Sequence, residues 1–255
     1  MEMLTSRRNP LAVHIKRLGA DRNYRRECGE FLCDGIKLLE EAVKCEADIV
    51  AVLTSSHIPF PLSVDARVYH ASRDIIDSLS PLKNAQDTLF TCKTPPSGGF
   101  AGHEGAGMGA HILLDGIQDP GNLGAIIRTA DALSFDSVIT TGKTADLYNP
   151  KTIRATMGAV FRQKVHSMSI SELAELKNSG VAFLGAVSGE GCASIYDVKL
   201  KNAVIAIGSE GQGLTADVLS LCSEVFTIPI APHCESLNAA VAAGIVMWEA
   251  VRVES

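Results

Sequence analysis

The second half of the chain alternates short apolar segments with amphipathic ones, and this alternation restricts the fold more than any other feature. Segments such as HILLD at His111–Asp115 and AVIAI at Ala203–Ile207 are too short for typical helices and are almost entirely apolar. Strands that are apolar on both sides belong to parallel sheets with helices on both faces. The sequence therefore predicts an α/β domain with a parallel sheet over residues 111–255.

Strands and helices are predicted in alternation along this domain. The predicted strands are His111–Asp115, Ser137–Thr140, Val181–Val187, Ala203–Ile207 and Val225–Ile228. The predicted helices are Leu123–Leu133, Lys151–Phe161, Ser171–Asn178, Leu214–Leu221 and Ser236–Val251. Ligands of such sheets bind at the carboxyl ends of the strands, so we expect the functional residues in the loops that follow the strands.

Residues 1–95 are expected to form a smaller, separate α/β domain. The apolar spacing predicts a helix from Phe31 to Val43, strands at Ile49–Leu53 and Arg67–His70, and a helix capped by Ser72. Residues 96–110 are rich in glycine, which disfavours regular structure, so we assign them to a linker.

The charge of the chain is distributed unevenly. A net charge of -6 over 255 residues argues against a protein that coats nucleic acid by its overall charge. The first 26 residues nevertheless carry a basic cluster, which suits a nucleic-acid backbone but could equally be a solvated helix face. Its members are Arg7, Arg8, Lys16, Arg17, Arg22, Arg25 and Arg26.

Cysteine usage and hydropathy exclude several classes of protein. The 7 cysteines are odd in number and form no CxxC pair, which disfavours a disulfide framework and a structural zinc site. The longest apolar run, Ala239–Trp248, is far shorter than the ~20 residues of a membrane span. We therefore expect a cytoplasmic protein with reduced thiols, no metal and no membrane contact.

Three glycine-rich loops each follow a predicted strand and should meet at one edge of the sheet. They read DPGNLGAIIRTA over 119–130, IGSEGQGL over 207–214 and IPIAPHCESLN over 228–238. Glycine after a strand often serves only a turn, but three converging loops with polar side chains indicate a ligand site.

The polar residues of these loops also have structural interpretations. Asn122 is expected to cap the helix that follows it, and Glu210 is an obvious ion-pair partner for Arg128. Ser236 is expected to begin the last helix, with Asn238 in its first turn. Free backbone N–H groups at that helix start would suit a polar ligand.

Two nucleotide-binding motifs are incomplete. The segment Gly142–Thr144 resembles the end of a phosphate-binding loop, but Ser137 stands where the first glycine is required. The glycines at 105, 107 and 109 precede a strand rather than a helix, so the dinucleotide fingerprint is not met. A nicotinamide-dependent dehydrogenase is therefore a less favoured alternative.

Taken together, the three loops resemble the motifs of the SpoU/TrmH group of SPOUT-class RNA methyltransferases. The patterns NLGxxxRTA, GSExxGL and IPI with SLN occur in the family's order across residues 111–251, and Thr5–Ala42 is similar to the family's N-terminal RNA-binding domain. The resemblance implies methyl transfer from S-adenosyl-L-methionine to a ribose 2′-hydroxyl. It also implies a trefoil knot in the C-terminal domain and a homodimer formed through it. Ser134 departs from the glycine usual in the family, which implies a different turn after the first helix of this domain.

The resemblance also implies roles for individual residues. The catalytic group would contain Asn122, Arg128, Glu210, Ser236 and Asn238. Because a guanidinium resists deprotonation, we expect Arg128 to stabilise charge on the substrate, with Glu210 as the alternative base. The cofactor would be held by Ala186, Val187, Gly208, Ile228 and Leu237. The RNA would be held by Arg7, Arg8, Lys16, Arg17, Arg25 and Arg26.

The target RNA is less defined by the sequence than the reaction is. Ribosomal RNA is the expected substrate, because family members with this type of N-terminal domain commonly act on it. Transfer RNA is the alternative, and a catalytically inactive RNA-binding or ribosome-assembly protein is a further alternative.

Overall fold

The computed structural model describes residues 2–95, 109–189 and 191–252. Most of the predicted linker, residues 96–108, therefore lies outside the described residues. The elements of the first described range are β1 (Glu2–Met3), α1 (Pro10–Ala20), α2 (Arg22–Cys28), β2 (Glu30–Asp34), α3 (Ile36–Lys44), β3 (Ile49–Thr54), β4 (Arg67–His70), α4 (Arg73–Leu79) and β5 (Thr88–Lys93).

The remaining ranges continue the alternation of strands and helices. They contain β6 (His111–Asp115), α5 (Pro120–Ala132), β7 (Ser137–Thr141), α6 (Pro150–Thr156), β8 (Val165–Ser167), α7 (Ile170–Asn178), β9 (Ala182–Ala186), β10 (Ala193–Ser194), β11 (Ala203–Gly208), α8 (Ala216–Leu221), β12 (Glu224–Thr227) and α9 (Ala239–Arg252). Short 3-10 turns occur at Ala159–Phe161 and Ile195–Asp197. None of the helices in these described ranges combines the length and apolar character needed to cross a lipid bilayer.

The chain divides into two compact units, and the division does not follow the sequence order alone. Unit 1 comprises Met1–Pro96 and Asp146–Arg162, and unit 2 comprises Ser97–Ala145 and Gln163–Ser255. The segment 146–162, which contains α6, therefore packs with unit 1, although the sequence analysis assigned it to the domain over 111–255. The helix predicted at Lys151–Phe161 is observed as α6 followed by a 3-10 turn.

Unit 1 is built on a mixed five-stranded sheet in the order β1-β4-β3-β5-β2. Strands β3 and β4 are parallel, whereas β5 runs antiparallel to both β2 and β3. Helical residues cover both faces of this sheet. One face packs against Ile15, Leu18 and Ile76, and the other packs against Leu39 and Ile153.

This double coverage explains why the helix predicted from Phe31 to Val43 is wrong in its first part. All five residues of β2 are buried, with Phe31 and Cys33 on one face and Leu32 on the other. The apolar middle of this strand, Phe31–Cys33, merges in the sequence with the apolar residues of the helix that follows. The helix itself begins at Ile36.

Unit 2 is built on the predicted parallel sheet, so the α/β assignment of this half is confirmed. Its seven strands follow the order β10-β12-β9-β11-β6-β7-β8, and every pairing is parallel. One face packs against α7 and α8 through residues such as Leu173 and Val218. Helices α5 and α9 pack against each other, α5 also contacts β7, and α9 also contacts β11.

The turn after α5 accommodates serine where the family usually has glycine. Ser134 has a φ of 57°, which places it in the left-handed region. This conformation carries no steric cost for glycine and a small cost for other residues. Ser134 itself therefore adopts the left-handed conformation that commonly ends a helix.

A buried ion pair within unit 1 changes the interpretation of the N-terminal basic cluster. Arg25 is only 4% exposed, and its guanidinium donates to Asp146 at 2.5 Å and to the carbonyl of Leu18 at 2.6 Å. The pair attaches α2 to the first residue of the segment 146–162. Arg25 is therefore a structural residue, and its burial disfavours the predicted RNA contact.

Replacing Arg25 by alanine should destabilise the protein by about 3–5 kcal/mol, because it removes the buried partner of the Asp146 carboxylate and leaves only the half-exposed Arg22, whose Nε lies 3.9 Å from Asp146 Oδ1. Arg26 is the matched control, since it is the neighbouring arginine and is exposed; Arg26→Ala should change the free energy of unfolding by less than about 0.5 kcal/mol. Denaturant unfolding of both variants measures the difference. Equal stabilities would contradict the structural role of Arg25.

Candidate functional site

The three predicted loops do lie at one edge of the unit 2 sheet, as parallel pairing requires. In the register of the sheet, Gly208 at the end of β11 pairs with Asp115 at the end of β6. Ala186 at the end of β9 pairs with Ile207 of β11 and with Phe226 of β12. The carboxyl ends of four neighbouring strands thus meet at this edge.

Three polar side chains from three different loops form one hydrogen-bonded cluster, which we call the amide–carboxylate cluster. Asn122 donates through Nδ2 to the Glu210 carboxylate and accepts at Oδ1 from Asn238 Nδ2, with an N–O distance of 3.1 Å. Asn238 accepts at Oδ1 from the backbone N–H groups of Ala240 and Val241, at 3.0 and 3.2 Å. All three residues are predicted from the sequence as site residues, but this pairing of them is not.

The cluster fixes the orientation of both amide groups. The Asn238 oxygen must accept from the start of α9, so its NH2 group must face Asn122. The Asn122 oxygen accepts from that group, so its own NH2 group must face Glu210. The hydrogen bonds therefore run in one direction, from the N-terminus of a helix to a carboxylate.

The cap of α5 differs from the prediction. Asp119, not Asn122, caps this helix, and its side chain accepts from the backbone N–H of Asn122 at 2.8 Å. Asn122 is the third residue of the helix, so its side chain remains available for Glu210 and Asn238. An acidic residue directly before proline is a recognised helix-start pattern that could have identified Asp119.

The start of α9 also differs from the prediction. The helix begins at Ala239 rather than Ser236, and Asn238 provides the cap. Ser236 is exposed, and it forms no hydrogen bond within the part of the chain that the structure describes. Ser236 is therefore the one catalytic candidate from this loop that is not joined to the cluster.

Arg128 does not pair with Glu210, so that expectation is wrong. Arg128 lies in α5, six residues after Asn122, about 9 Å further along the helix axis and on a different face. Its side chain is exposed and forms no ion pair or hydrogen bond with the described residues. Its positive charge is therefore not neutralised within the described chain.

The predicted cofactor residues are mostly apolar and half-buried at the same sheet edge. Ala186 ends β9 and Val187 directly follows it, and the Val187 N–H donates to the Phe226 carbonyl at 2.9 Å. Ile228 directly follows β12 and is also half-buried. Leu237 directly precedes Asn238, a member of the amide–carboxylate cluster, so it also lies at this sheet edge.

Gly208 lies where two chain segments approach too closely for any side chain. A Cβ atom at this position would lie 2.0 Å from the carbonyl carbon of Gly213. The backbone N–H of Gly213 donates to the Ser209 carbonyl at 2.9 Å, and Ser209 N–H donates back to Gly213 at 3.2 Å. This compact loop carries Glu210 and presents backbone groups, rather than side chains, beside the strand end.

The predicted RNA contacts of unit 1 are exposed, with Arg25 as the exception. Arg8, Lys16 and Arg26 are exposed. Arg17 lies over the Tyr24 ring at 3.8 Å from its centroid. Arg7 forms a 3.5 Å ion pair with Asp74, and both of these side chains are exposed. Such surface pairs contribute little stability, so these cations are available to an anionic partner.

Gly208→Ala should destabilise the protein by at least about 1–3 kcal/mol, because the added methyl group must displace the backbone at Gly213. Gly211 is the matched control in the same loop, since a Cβ there meets nothing within 4 Å. Gly211→Ala should leave the free energy of unfolding nearly unchanged. Similar unfolding curves for the two variants would contradict the close approach.

Comparisons with known proteins agree with this geometry. Residues 109–248 match the model of the SpoU rRNA Methylase family. The 23S rRNA (guanosine(2553)-2′-O)-methyltransferase RlmP of Bacillus subtilis is 30% identical over 97% of this chain and 98% of its own length.

Two solved structures share the fold over nearly the whole chain. The AdoMet-bound rRNA methyltransferase of Sinorhizobium meliloti has a TM-score of 0.85 and 27% identity, covering 99% of this chain and 98% of its own. The SpoU methyltransferase AviRb of Streptomyces viridochromogenes, in complex with AdoMet, has a TM-score of 0.85 and 25% identity, covering 97% and 98%. With both the family model and a full-length relative in agreement, this chain belongs to the SpoU rRNA methylase family.

Proposed function

We propose that this protein methylates a ribose 2′-hydroxyl in ribosomal RNA, with S-adenosyl-L-methionine as the methyl donor. The amide–carboxylate cluster is the observation that carries the proposal, because it holds a carboxylate at the sheet edge where ligands of parallel sheets bind. The name of the Bacillus subtilis relative supports a guanosine of 23S rRNA as the target. Transfer RNA, the alternative considered from the sequence, stays an alternative, because another full-length relative is named only as a tRNA/rRNA methyltransferase.

The residues at the sheet edge fit the methyl donor. The close backbone approach at Gly208 leaves main-chain groups to hydrogen-bond the donor, and half-buried Ala186, Val187 and Ile228 offer an apolar surface for its adenine. Leu237 would complete this surface. When bound, S-adenosyl-L-methionine would supply an electrophilic methyl group, because the methyl carbon is attached to a positively charged sulfonium sulfur. Transfer of that methyl group to the ribose oxygen would leave the sulfur as a neutral thioether.

Removal of the hydroxyl proton falls to Glu210 in this proposal. One of its carboxylate oxygens accepts from Asn122, and the other forms no hydrogen bond with the described residues. The second oxygen can therefore accept the proton of a bound ribose hydroxyl. A positioned general base contributes typically ~10²–10⁴-fold to the rate, and the cluster supplies that positioning.

Arg128 acts electrostatically in this proposal. A guanidinium keeps its proton in proteins, so Arg128 cannot serve as the base. Because it has no counter-charge among the described residues, it can approach the substrate phosphate or the developing alkoxide without first breaking an ion pair. Ser236 and Asn238 would complete the ribose contacts, Asn238 while holding Asn122.

Unit 1 supplies the RNA affinity in this proposal. The exposed cations Arg7, Arg8, Lys16, Arg17 and Arg26 would contact phosphates, and binding should weaken with added salt as counterions are displaced. We also propose a cytoplasmic location, where ribosomal RNA is found and where the 7 unpaired cysteines would remain reduced.

Mapping 2′-O-methyl groups in total RNA tests the proposed function. Cells that lack this protein should lose one or a few marks in ribosomal RNA, and expression of the wild-type chain should restore them. Glu210→Gln and Arg128→Ala should fail to restore the marks, with turnover reduced by about 10²-fold or more. Unchanged ribosomal RNA, or marks lost only from transfer RNA, would contradict the proposal.

Calorimetric titration with S-adenosyl-L-methionine provides the control for those variants. Glu210→Gln keeps an acceptor for Asn122, and Arg128 lies outside the cluster, so both variants should bind the donor like the wild type. A wild-type protein that binds RNA but not the donor would instead be the catalytically inactive RNA-binding protein considered above.

We further propose the family's trefoil knot between β11 and α9, and a homodimer formed through α9. The insertion of β11 between β9 and β6 in the sheet is compatible with the knot. The dimer is supported by an apolar stripe on the outer face of α9, where Val241 is 52% and Trp248 58% exposed and Ile245 lies between them. These residues and Tyr196 line a groove of about 450 Å³, and a second copy of the chain would cover it.

Trp248→Glu should convert the dimer into a monomer, because it places a charge in the apolar stripe that the partner would cover. Leu219→Glu is the matched control, since Leu219 is also an exposed apolar residue but belongs to α8. Sedimentation equilibrium measures the mass of each variant. A wild-type monomer, or a dimer that survives Trp248→Glu, would contradict this interface.

A further inference from the structure

Asp115, the last residue of β6, is a buried carboxylate for which the reaction described so far has no role. It is only 2% exposed, and its Oδ2 accepts from the backbone N–H of Thr215 at 2.7 Å. It forms no ion pair with the residues that the structure describes. Asp115 is not among the predicted site residues, although a charged residue that ends an apolar strand is a recognisable signal.

The position of Asp115 relates it to both ends of the loop that carries Glu210. Asp115 is the register partner of Gly208, where the loop leaves β11, and it binds Thr215, where the loop enters α8. Between these points the loop has the mutual backbone bonds of Ser209 and Gly213. One carboxylate therefore attaches the base of the whole segment 208–215 to the neighbouring strand.

The surroundings of Asp115 are shaped around its carboxylate. Gly142, at the turn after β7, has a φ of 62°, and a Cβ there would lie 3.2 Å from Asp115 Oδ1. The N–H of Gly116, the next residue, donates to Thr144 Oγ1 at 3.1 Å and so fixes the chain directly after Asp115. The strand end and the following turn thus hold this side chain in place.

Helix capping does not account for this contact. Thr215 already caps α8 with its own hydroxyl, which accepts from Val218 N–H at 3.4 Å. Asp115 instead binds the N–H of the capping residue itself. Burying a carboxylate without a counter-charge is unfavourable for stability. The presence of Asp115 here is therefore better explained by its effect on the position of the loop than by a gain in stability.

We propose that Asp115 is a positioning residue for the methyl transfer, one that holds the loop 208–215 so that Glu210 meets Asn122. This inference rests on the proposed function. Without the bond to Thr215, the loop should remain attached at Gly208 but move at its far end. Glu210 would then spend less time in the cluster, while the apolar surface at Ala186 and Ile228 would be unchanged.

Four substitutions test this proposal by steady-state kinetics. Asp115→Ala should lower kcat at least about tenfold, because a buried charge-assisted hydrogen bond is lost, with a change of less than about threefold in the KM for the donor. Asp115→Asn keeps an oxygen acceptor for Thr215 and should recover most of kcat. If Asp115→Ala does not fold, Thr215→Pro removes the N–H donor at a φ of -67° that suits proline. It should reproduce the loss relative to Thr215→Ala, which removes only the hydroxyl that caps α8.

Val218→Ala is the control for a purely structural effect. It removes buried packing from α8 without touching the bond between Asp115 and Thr215. At a temperature where all variants are folded, Val218→Ala should keep the wild-type kcat. Hydrogen exchange should also show the Thr215 amide at least about tenfold less protected in Asp115→Ala than in Val218→Ala.

The outcomes separate this inference from the proposed function. If the wild type methylates RNA and Asp115→Ala does so equally well, the positioning role is wrong. A Val218→Ala variant that loses as much kcat as Asp115→Ala also overturns it, because loss of stability then explains both. If the wild type has no methyltransferase activity, the proposed function fails, while increased exchange at Thr215 would still establish the contact in the loop.

Discussion

The arrangement of the site depends on one directional series of hydrogen bonds. It begins at the backbone N–H groups that open α9, passes through the Asn238 and Asn122 amides, and ends at the Glu210 carboxylate. Each amide has both its donor and its acceptor engaged, so neither can rotate without losing two bonds. The three side chains thereby connect the loop of Asn122 to loops that lie 88 and 116 residues further along the chain.

The backbone around this cluster is held as tightly as its side chains. Gly208 and Gly213 approach so closely that no side chain fits between them, and the buried Asp115 carboxylate binds the far end of the loop. Enzyme groups that must meet a transition state gain most from such preorganisation, because they need no reorganisation during the reaction. The parallel sheet makes this possible, since it delivers successive strand ends to the same edge.

The sequence predicts residue types better than it predicts their partners. The apolar segment Ala203–Ile207 indicates a strand by itself, and the polar residues of the three loops indicate a site by their convergence. The Asn122 side chain can bind Glu210 because Asp119 caps the helix instead, accepting from the Asn122 backbone N–H. Arg25 resembles its exposed neighbour Arg26 in the sequence, and the ion pair that buries it comes from Asp146, 121 residues away. Local patterns do not contain such distant contacts.

The positions of Arg128 and Glu210 favour different roles for these two charged residues. Arg128 and Glu210 do not form a pair, so neither charge is neutralised by the other, and each remains available to a ligand. A mutual ion pair would have to break before either group could contact the substrate, which would raise the barrier. Since a guanidinium keeps its proton, we propose that proton removal belongs to the carboxylate that the amides orient. The positive charge is then free to stabilise the alkoxide or the adjacent phosphate.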